Sequence, residues 1–330
     1  MSHPRLSLAL DGGGLDISSG RIVVFGARSD LDLRDLPKER CQLITGYKPD
    51  VDTLSAQGWE VATGADGSFD TAIVFLPRAK KLAKAMIAEA VGLGVATVVV
   101  DGQKTDGVDS LLKEMRKRGE VANVLSKAHG KLFWVTGLCA ADLADWQAPA
   151  KQEIEEGFVT APGVFSADGI DPASRLLVDV LPQKLGKHLA DLGAGWGYLS
   201  RNLLTRDSVK TLSLVESDHA SLTCAKANLS DDRATFHWAD ATKWRSDRLL
   251  DGVIMNPPFH TGRAAEPQLG QAFIANAARN LSQSGQLWLV ANRQLPYETS
   301  LAELFLDVEE IGGDNRFKVL HAARRRRSGR

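Results

Sequence analysis

The segment 188–197 constrains the fold more than any other part of the chain. It reads HLADLGAGWG, so that an apolar run leads through Asp191 into three alternating glycines and then into a helical pattern. These are Gly193, Gly195 and Gly197. Glycine has no Cβ, so this stretch can turn sharply and bring its backbone close to a ligand. The order of strand, glycine turn and helix predicts an α/β fold with a doubly wound, mainly parallel sheet.

Further polar residues follow the next predicted strands. Glu216 closes a strand about 20 residues on, where a carboxylate can accept from both hydroxyls of a ribose. Asp240 follows a third strand, and Asn256-Pro257-Pro258-Phe259 follows a fourth. Nicotinamide sites use similar glycine loops. They have no use for an acid placed before the glycines, or for Asn-Pro-Pro-Phe after the fourth strand.

The Asn-Pro-Pro-Phe motif suits chemistry at a planar amino nitrogen. The side-chain oxygen of Asn256 and the carbonyl of Pro257 can each accept one amino hydrogen, while Phe259 stacks on the ring. With its four motifs in this order, the chain resembles the class I S-adenosylmethionine (SAM) methyltransferases. The resemblance implies a Rossmann-like fold and SAM as the cofactor.

Bulk properties restrict the remaining choices. A length of 330 residues predicts two domains, which we place at 1–150 and 151–330. No apolar run reaches the roughly 18 residues of a membrane span, and no secretory pattern opens the chain, so we expect a cytoplasmic protein. Cys41, Cys139 and Cys224 fit no metal spacing, and we expect no metal.

The net charge of −1 excludes an indiscriminate nucleic-acid binder, so that any RNA contact requires a local basic patch. The run Arg324–Arg327 is one candidate. It is typical either of a solvated chain end or of a phosphate-binding arm.

The N-terminal half alternates apolar and amphipathic runs after a turn at Gly12-Gly13-Gly14. The predicted strands are Arg21–Phe25, Cys41–Thr45, Thr71–Phe75, Ala96–Val100 and Leu132–Val135, and the predicted helices are Ala79–Ala90 and Gly107–Lys117. This half has neither Asp-x-Gly-x-Gly after a strand nor Asn-Pro-Pro. We therefore expect a degenerate methyltransferase-like domain that has a structural or RNA-positioning role.

Residues 139–157 lack periodicity and suit a linker. Beyond them, Asp171 and Pro172 predict a helix start, while Phe165 suits core packing and cleft lining equally well. Strands are then predicted to alternate with helices, and the catalytic domain to end in an antiparallel hairpin that turns through Gly312–Asn315. The predicted strands are His188–Leu192, Leu212–Glu216, Thr235–Trp238, Gly252–Met255, Gln286–Ala291, Val308–Ile311 and Phe317–His321.

A narrower resemblance covers most of the chain, although only its C-terminal motifs are specific. They include Pro162–Ser166 with Asp171 and Ser174, Asn256–His260, and Arg316–Val319. Together these motifs look like the RsmC type of ribosomal-RNA guanine-N2 methyltransferase, whose N-terminal domain is inactive. This resemblance implies that the acceptor is the exocyclic N2 of a guanine in 16S rRNA, presented as naked RNA or as the 30S subunit. Ala173 departs from the glycine that is common in that family.

The resemblance assigns a role to each motif. Asp191 is expected to orient the methionine end of SAM, Glu216 to bind its ribose and Asp240 its adenine, with the three glycines packed beneath the cofactor. Asn256 adjoins the cofactor and, with Pro257 and Phe259, forms the catalytic set. His260 stays open between a base or phosphate contact and a structural role.

Four other readings remain. The same motif chemistry serves the N6 amine of adenine and the amide of a protein glutamine. From other classes, a non-catalytic ribosome-assembly factor and a nicotinamide oxidoreductase are alternatives.

Overall fold

The fold is described from a computed structural model, which covers residues 4–147, 149, 151–258 and 267–326. The chain divides into two compact units, Met1–Ala150 (unit 1) and Lys151–Arg330 (unit 2). Each unit contains one seven-stranded sheet, and unit 2 adds a short two-stranded one.

Unit 1 is built on five parallel strands and a C-terminal antiparallel hairpin. Its strands are β1 (Ile22–Phe25), β2 (Cys41–Ile44), β3 (Glu60–Ala62), β4 (Thr71–Phe75), β5 (Thr97–Gln103), β6 (Glu120–Lys127) and β7 (Gly130–Thr136). Its helices are α1 (Pro4–Leu10), α2 (Lys48–Ala56), α3 (Lys80–Gly92) and α4 (Val108–Met115). The strand order is β3-β2-β1-β4-β5-β7-β6, with β7 antiparallel to both neighbours. Strands β1, β2 and β4 are buried throughout, as expected where helices cover both faces of a parallel sheet.

Unit 2 repeats this plan. Its strands are β8 (Gln152–Glu153), β9 (Val159–Thr160), β10 (His188–Leu192), β11 (Thr211–Glu216), β12 (Ala234–Trp238), β13 (Leu250–Met255), β14 (Leu281–Asn292), β15 (Phe305–Gly313) and β16 (Phe317–Arg325). Its helices are α5 (Pro172–Val180), α6 (Tyr198–Leu203), α7 (His219–Asn228), α8 (Pro267–Asn280) and α9 (Tyr297–Leu304). The order β12-β11-β10-β13-β14-β16-β15 equals that of unit 1 when each sheet is numbered from its own first strand. The predicted fold, two tandem Rossmann-like domains with a terminal antiparallel hairpin, is confirmed.

Alternation along β10 assigns its side chains to two different cores of unit 2. Leu189 packs with residues of α5, α6 and α7, whereas Ala190 packs with residues of α8 and α9. Asp191 is two residues from Leu189 and therefore points to the face that α6 covers. Its burial follows directly from this register.

Several elements differ from the predictions. Helices α1, α2 and α9 and strands β3, β6 and β8 were not predicted. Strands β3 and β8 have only three and two residues. The expected linker is partly ordered, since residues 140–146 form 3₁₀ turns that bury Leu143 and Trp146. The hairpin turns at 314–316 rather than through the glycines, because the Asp314 side chain accepts from the amides of Arg316 and Phe317, both at 2.7 Å.

The arginine run is neither a loose end nor a free arm over its described part, 324–326. Arg325 donates to the carbonyl of Ala278 in the last turn of α8 at 3.0 Å. Arg326 donates to carbonyls at the end of α9 (Ala302 and Phe305, 3.0 and 3.1 Å). Arg324 pairs with the Asp307 carboxylate. The guanidinium groups of Arg325 and Arg326 cap helix C-termini, where carbonyls lack partners and positive charge is favourable. Arg327 lies outside the described residues.

Candidate active site

The carboxyl ends of four adjacent strands of unit 2 carry the predicted site residues. Strands β12, β11, β10 and β13 are neighbours in the sheet. Asp191 is the penultimate residue of β10 and Glu216 ends β11, while Asn256 directly follows β13 and Asp240 follows β12 after Ala239. Ligands of open α/β sheets bind at this edge. A cleft there is lined by Phe165, Asp171, Ser174, Gly193, Ala194, Gly195, Trp196, Tyr198, Leu199 and Asn256.

Asp191 is a buried carboxylate with one unsatisfied oxygen. Its side chain is inaccessible to solvent, and Ser200 in α6 donates to Oδ2 at 2.7 Å. Among the described residues, Oδ1 has no hydrogen-bond partner. Burial raises the pKa of Asp191 to about 7, and the nearby Glu216 charge adds to the effect of burial. The N-cap of α6 is Gly197, and the hydroxyl and backbone amide of Ser200 in its first turn both oppose the rise in the pKa of Asp191. A buried acid oxygen of this kind suits a cationic ligand group.

Glu216 connects the end of β11 to the glycine turn. Its Oε2 accepts from the amide of Gly195 at 2.8 Å, and its Oε1 accepts from the amide of Asp218 at the same distance. Burial raises the pKa of Glu216, and these backbone hydrogen bonds oppose that shift. The carboxylate is thereby held at the edge of the sheet beside the turn.

The glycines of this turn differ in what surrounds them. All three have positive φ, which only glycine adopts at little cost. A Cβ on Gly197 would lie 2.5 Å from Leu229, so its position is fixed by packing. A Cβ on Gly195 would meet no atom within 4 Å, so that its side faces open space in the cleft. The second position therefore leaves room for a ligand against the backbone.

Groups in its own loop already bind the carboxylate of Asp240. The amide and hydroxyl of Thr242 donate to Oδ1 at 2.9 and 2.6 Å, and the Lys243 ammonium lies 3.2 Å from Oδ2. Burial raises its pKa, but the Thr242 bonds and Lys243 outweigh burial and hold the pKa of Asp240 below its ordinary value. The carboxylate is ionised and remains an acceptor at this edge.

Asn256 has a fixed side-chain orientation. Its Nδ2 donates to Oδ2 of Asp171 at 3.0 Å and to Oγ of Ser174 at 2.9 Å. Asp171 also caps α5 by accepting from the Ser174 amide at 2.8 Å, which confirms the predicted helix start. The sequence indicated Asp171 as a helix cap and, through the resemblance, as part of a motif with Ser174, but it did not predict the contact with Asn256, 85 positions away.

Phe165 lines the cleft and does not pack in the core, since 56% of its surface is exposed. Its carbonyl accepts from the Trp196 indole at 2.8 Å, which ties its loop to the glycine turn. Pro257, which directly follows Asn256, is buried. Phe259 and His260 lie outside the described residues.

The geometry fits SAM. The methionine end carries cationic groups that suit the unsatisfied Asp191 oxygen, and the ribose hydroxyls are donors that suit Glu216. The open side of Gly195 leaves space for a ligand above the backbone. Among the described residues no cluster of three metal-ligating side chains occurs. Within the same ranges, no helix has the length and apolar character needed to cross a bilayer.

Unit 1 lacks these groups at the matching positions. Counted from the glycine that follows β1 and β10, Val24 takes the place of Asp191. The strand register then places Thr45 and Phe75 where unit 2 has Glu216 and Asn256. A Cβ on Gly26 would lie 2.3 Å from the Phe75 carbonyl oxygen, so the loop after β1 closes onto β4.

Comparison with known proteins gives concordant results. The family model of the methyltransferase small domain matches residues 155–321. Ribosomal RNA small subunit methyltransferase C of Shewanella halifaxensis is 31% identical over 265 residues, which cover 77% of either chain. The protein of the same name from Hahella chejuensis is 30% identical over 292 residues, or 82% of either chain.

A solved structure extends the similarity in fold to nearly the whole chain. The T. thermophilus 16S rRNA N2 G1207 methyltransferase RsmC, in complex with AdoMet and guanosine, superposes with a TM-score of 0.80 at 24% identity. The match covers 98% of this chain and 92% of that one.

Proposed function

Since the chain belongs to the methyltransferase small domain family and to the ribosomal RNA small subunit methyltransferase C proteins, we propose that it methylates the exocyclic N2 of a guanine in 16S rRNA. SAM is the methyl donor. The observation that carries the proposal is the convergence of Asp191, Glu216 and Asn256 at the carboxyl ends of three adjacent strands. We place the reaction in the cytoplasm, on RNA or on the assembling 30S subunit.

The residues of unit 2 divide into two groups. Asp191, Glu216 and Asp240, with the turn Gly193–Gly197, hold the cofactor by charge, by acceptor oxygens and by open backbone. Asn256 and Pro257 face the acceptor, and we assign Phe259 to stack on the base. Bound SAM supplies an electrophilic methyl group on a sulfonium.

The work of the protein is then to orient a poor nucleophile. The lone pair of the guanine amine is conjugated with the ring, so attack requires the nitrogen to pyramidalise. Acceptor bonds from Asn256 Oδ1 and the Pro257 carbonyl to the amine hydrogens strengthen as positive charge develops there. The proton leaves after transfer, so that no general base is needed. A base that is read in this way must leave its stack to reach the cleft.

Unit 1 is assigned to positioning the RNA. The turn after β5 and the β6–β7 hairpin lie side by side, since the amide of Lys104 donates to the His129 carbonyl at 3.0 Å. Lys104, Lys127 and His129 are exposed around this contact. We call this group the basic edge of unit 1. It lies at the carboxyl end of β5, the edge where a sheet of this kind presents its ligand groups.

The decisive experiment is methyl transfer from labelled SAM to 30S subunits and to naked 16S rRNA that lack the modification. Asn256→Ala is the control, and mass spectrometry identifies the product nucleoside. N2-methylguanosine that is absent with the variant is the expected result, and it also reveals which substrate form is used. N6-methyladenosine would overturn the choice of base. Clear SAM binding without transfer to either RNA would direct the search to protein glutamine or to an assembly role.

A further inference from the structure

The contact among Asp171, Ser174 and Asn256 has a consequence for the reaction itself. We propose that Asp171 and Ser174 are positioning residues. They set which end of the Asn256 side-chain amide, the oxygen or the nitrogen, points to the acceptor nitrogen. This inference rests on the proposed function, because it concerns the orientation of the same amine.

An asparagine amide has two ends of opposite character. Its oxygen only accepts hydrogen bonds and its nitrogen only donates them, while the two ends have nearly the same shape. Rotation by half a turn would therefore present a donor to the guanine amine, which also donates. Shape alone cannot prevent that rotation, so a neighbouring group has to select one orientation.

Asp171 makes that selection. A carboxylate offers only acceptors, so Nδ2 of Asn256 must face it, as observed at 3.0 Å. A rotated amide would put its oxygen against a charged oxygen and lose a charge-assisted hydrogen bond. Ser174 adds a second acceptor to Nδ2 at 2.9 Å. Both amide hydrogens are thereby used, and Oδ1 is turned away from Asp171.

The selecting carboxylate is itself fixed. Asp171 caps α5 through the Ser174 amide, and the Ser174 side chain is 7% exposed within the first turn of the same helix. The start of one helix thus holds the amide that follows the fourth strand of the sheet. Because this cap does not depend on the RNA, the orientation exists before the base arrives.

The test uses the full-length protein and 30S subunits or 16S rRNA lacking the modification. With Asp171→Ala we expect kcat to fall by about tenfold to a hundredfold, the size of a lost charged hydrogen bond, while the Kd for SAM changes by less than about twofold. Asp171→Ser retains a good N-cap but removes the carboxylate, so its kcat should fall as in Asp171→Ala while the start of α5 is kept. Asp179→Ala removes an exposed carboxylate from the same helix and should leave kcat unchanged.

A reciprocal exchange separates orientation from mere support. Asn256→Asp places two carboxylates together and should lose most of the activity. Adding Asp171→Asn to Asn256→Asp again pairs an amide donor, now at position 171, with a carboxylate acceptor at position 256. The kcat should then recover at least about tenfold over that of Asn256→Asp alone. A double variant that is no faster than Asn256→Asp would overturn the proposal. So would Asp171→Ala if it lowered only Tm.

A readout without RNA keeps this test separate from that of the proposed function. In the SAM-bound protein, the side-chain NH₂ of Asn256 should give two slowly exchanging NMR signals that move or broaden in Asp171→Ala. Fast exchange in the unsubstituted protein would overturn the orientation even if guanine is methylated. Slow exchange without transfer to 16S rRNA would leave the orientation standing and reject the substrate.

Discussion

Ser200 donates its hydroxyl to one carboxylate oxygen of Asp191 at 2.7 Å, and the other oxygen of Asp191 is buried without a partner among the described residues. One hydrogen bond does not offset the removal of a carboxylate from water. Burial therefore raises the pKa of Asp191 to about 7, so that protonation at this site competes with a cationic ligand.

The affinity for SAM should depend on pH through Asp191. The ionised carboxylate favours the cationic methionine end, so binding below a pKa of about 7 must expel a proton. We expect Kd to rise about tenfold per unit fall in pH below about 7 and to level off above about 8. Titration calorimetry across this range measures the slope. Asp191→Asn should bind weakly at every pH, and a flat profile for the unsubstituted protein would contradict the assignment.

Removal of the same charge should stabilise the ligand-free protein at alkaline pH. The folded-state pKa is raised from 3.8 to about 7, so stability is highest below the unfolded value and falls as pH rises through the folded one. At about pH 8, Asp191→Asn should raise the free energy of unfolding by at least about 1 kcal/mol. Denaturant unfolding at about pH 8 and about pH 4 tests this. An equal difference between the two proteins at both pH values would show that the charge is not the cause.

Two glycines of one turn should respond differently to the same substitution. Gly197→Ala forces a Cβ to within 2.5 Å of Leu229 and should lower stability by about 2 kcal/mol or more. Gly195→Ala meets no atom and should cost about 1 kcal/mol of backbone strain, yet weaken SAM binding at least about tenfold because the methyl occupies the cleft. Thermal unfolding with and without SAM separates the effects. Equal SAM affinity in Gly195→Ala would reject the cofactor position.

The three C-terminal arginines should differ in their effect on stability. Arg325→Ala and Arg326→Ala each remove a cap from helix carbonyls and should cost about 1 kcal/mol. Arg324→Ala removes an exposed pair with Asp307 and should cost less than about 0.5 kcal/mol. Urea unfolding of the three variants provides the ranking. A large loss of RNA affinity in Arg326→Ala at unchanged stability would restore the phosphate-arm interpretation.

The basic edge of unit 1 should contribute to RNA affinity but not to SAM affinity. Lys104→Ala should weaken 16S rRNA binding uniformly and reduce the slope of log K against log salt by about 1, because one phosphate contact is lost. Lys226→Ala, which removes an exposed lysine from α7 in unit 2, is the matched control. Filter binding at several salt concentrations measures both. Identical slopes for the two variants would place the RNA elsewhere.

The central strands and the positions of Asp191 and Glu216 at strand ends were predictable because their signals are local. An apolar run that ends at a glycine turn marks β10 wherever the chain goes afterwards, and Asp191 and Glu216 follow from their place at strand ends. The predicted strands all overlap observed ones. Helix α9 was not predicted, although Tyr297, Leu301 and Leu304 have helical spacing.

What the sequence could not provide were contacts between distant segments. Asp171 and Asn256 are 85 positions apart, and each has a sufficient local explanation, as a helix cap and as a motif residue. The solvent exposure of Phe165 depends on a loop held by Trp196. The caps formed by Arg325 and Arg326 depend on where β16 ends relative to two helices. These contacts form only when the sheet and its helices have assembled.

The shared strand order of the two sheets also creates a hazard during folding. Because the two sheets have the same strand order, a strand of one unit can pair at the corresponding position in the sheet of the other unit. Such an exchange gives swapped, misassembled sheets. Synthesis on the ribosome prevents this exchange, because the sheet of unit 1 can form before β10 has emerged. Refolding from denaturant removes that order and exposes both sets of edges at once. The yield of correctly assembled protein should therefore be higher for folding during synthesis than for refolding from denaturant.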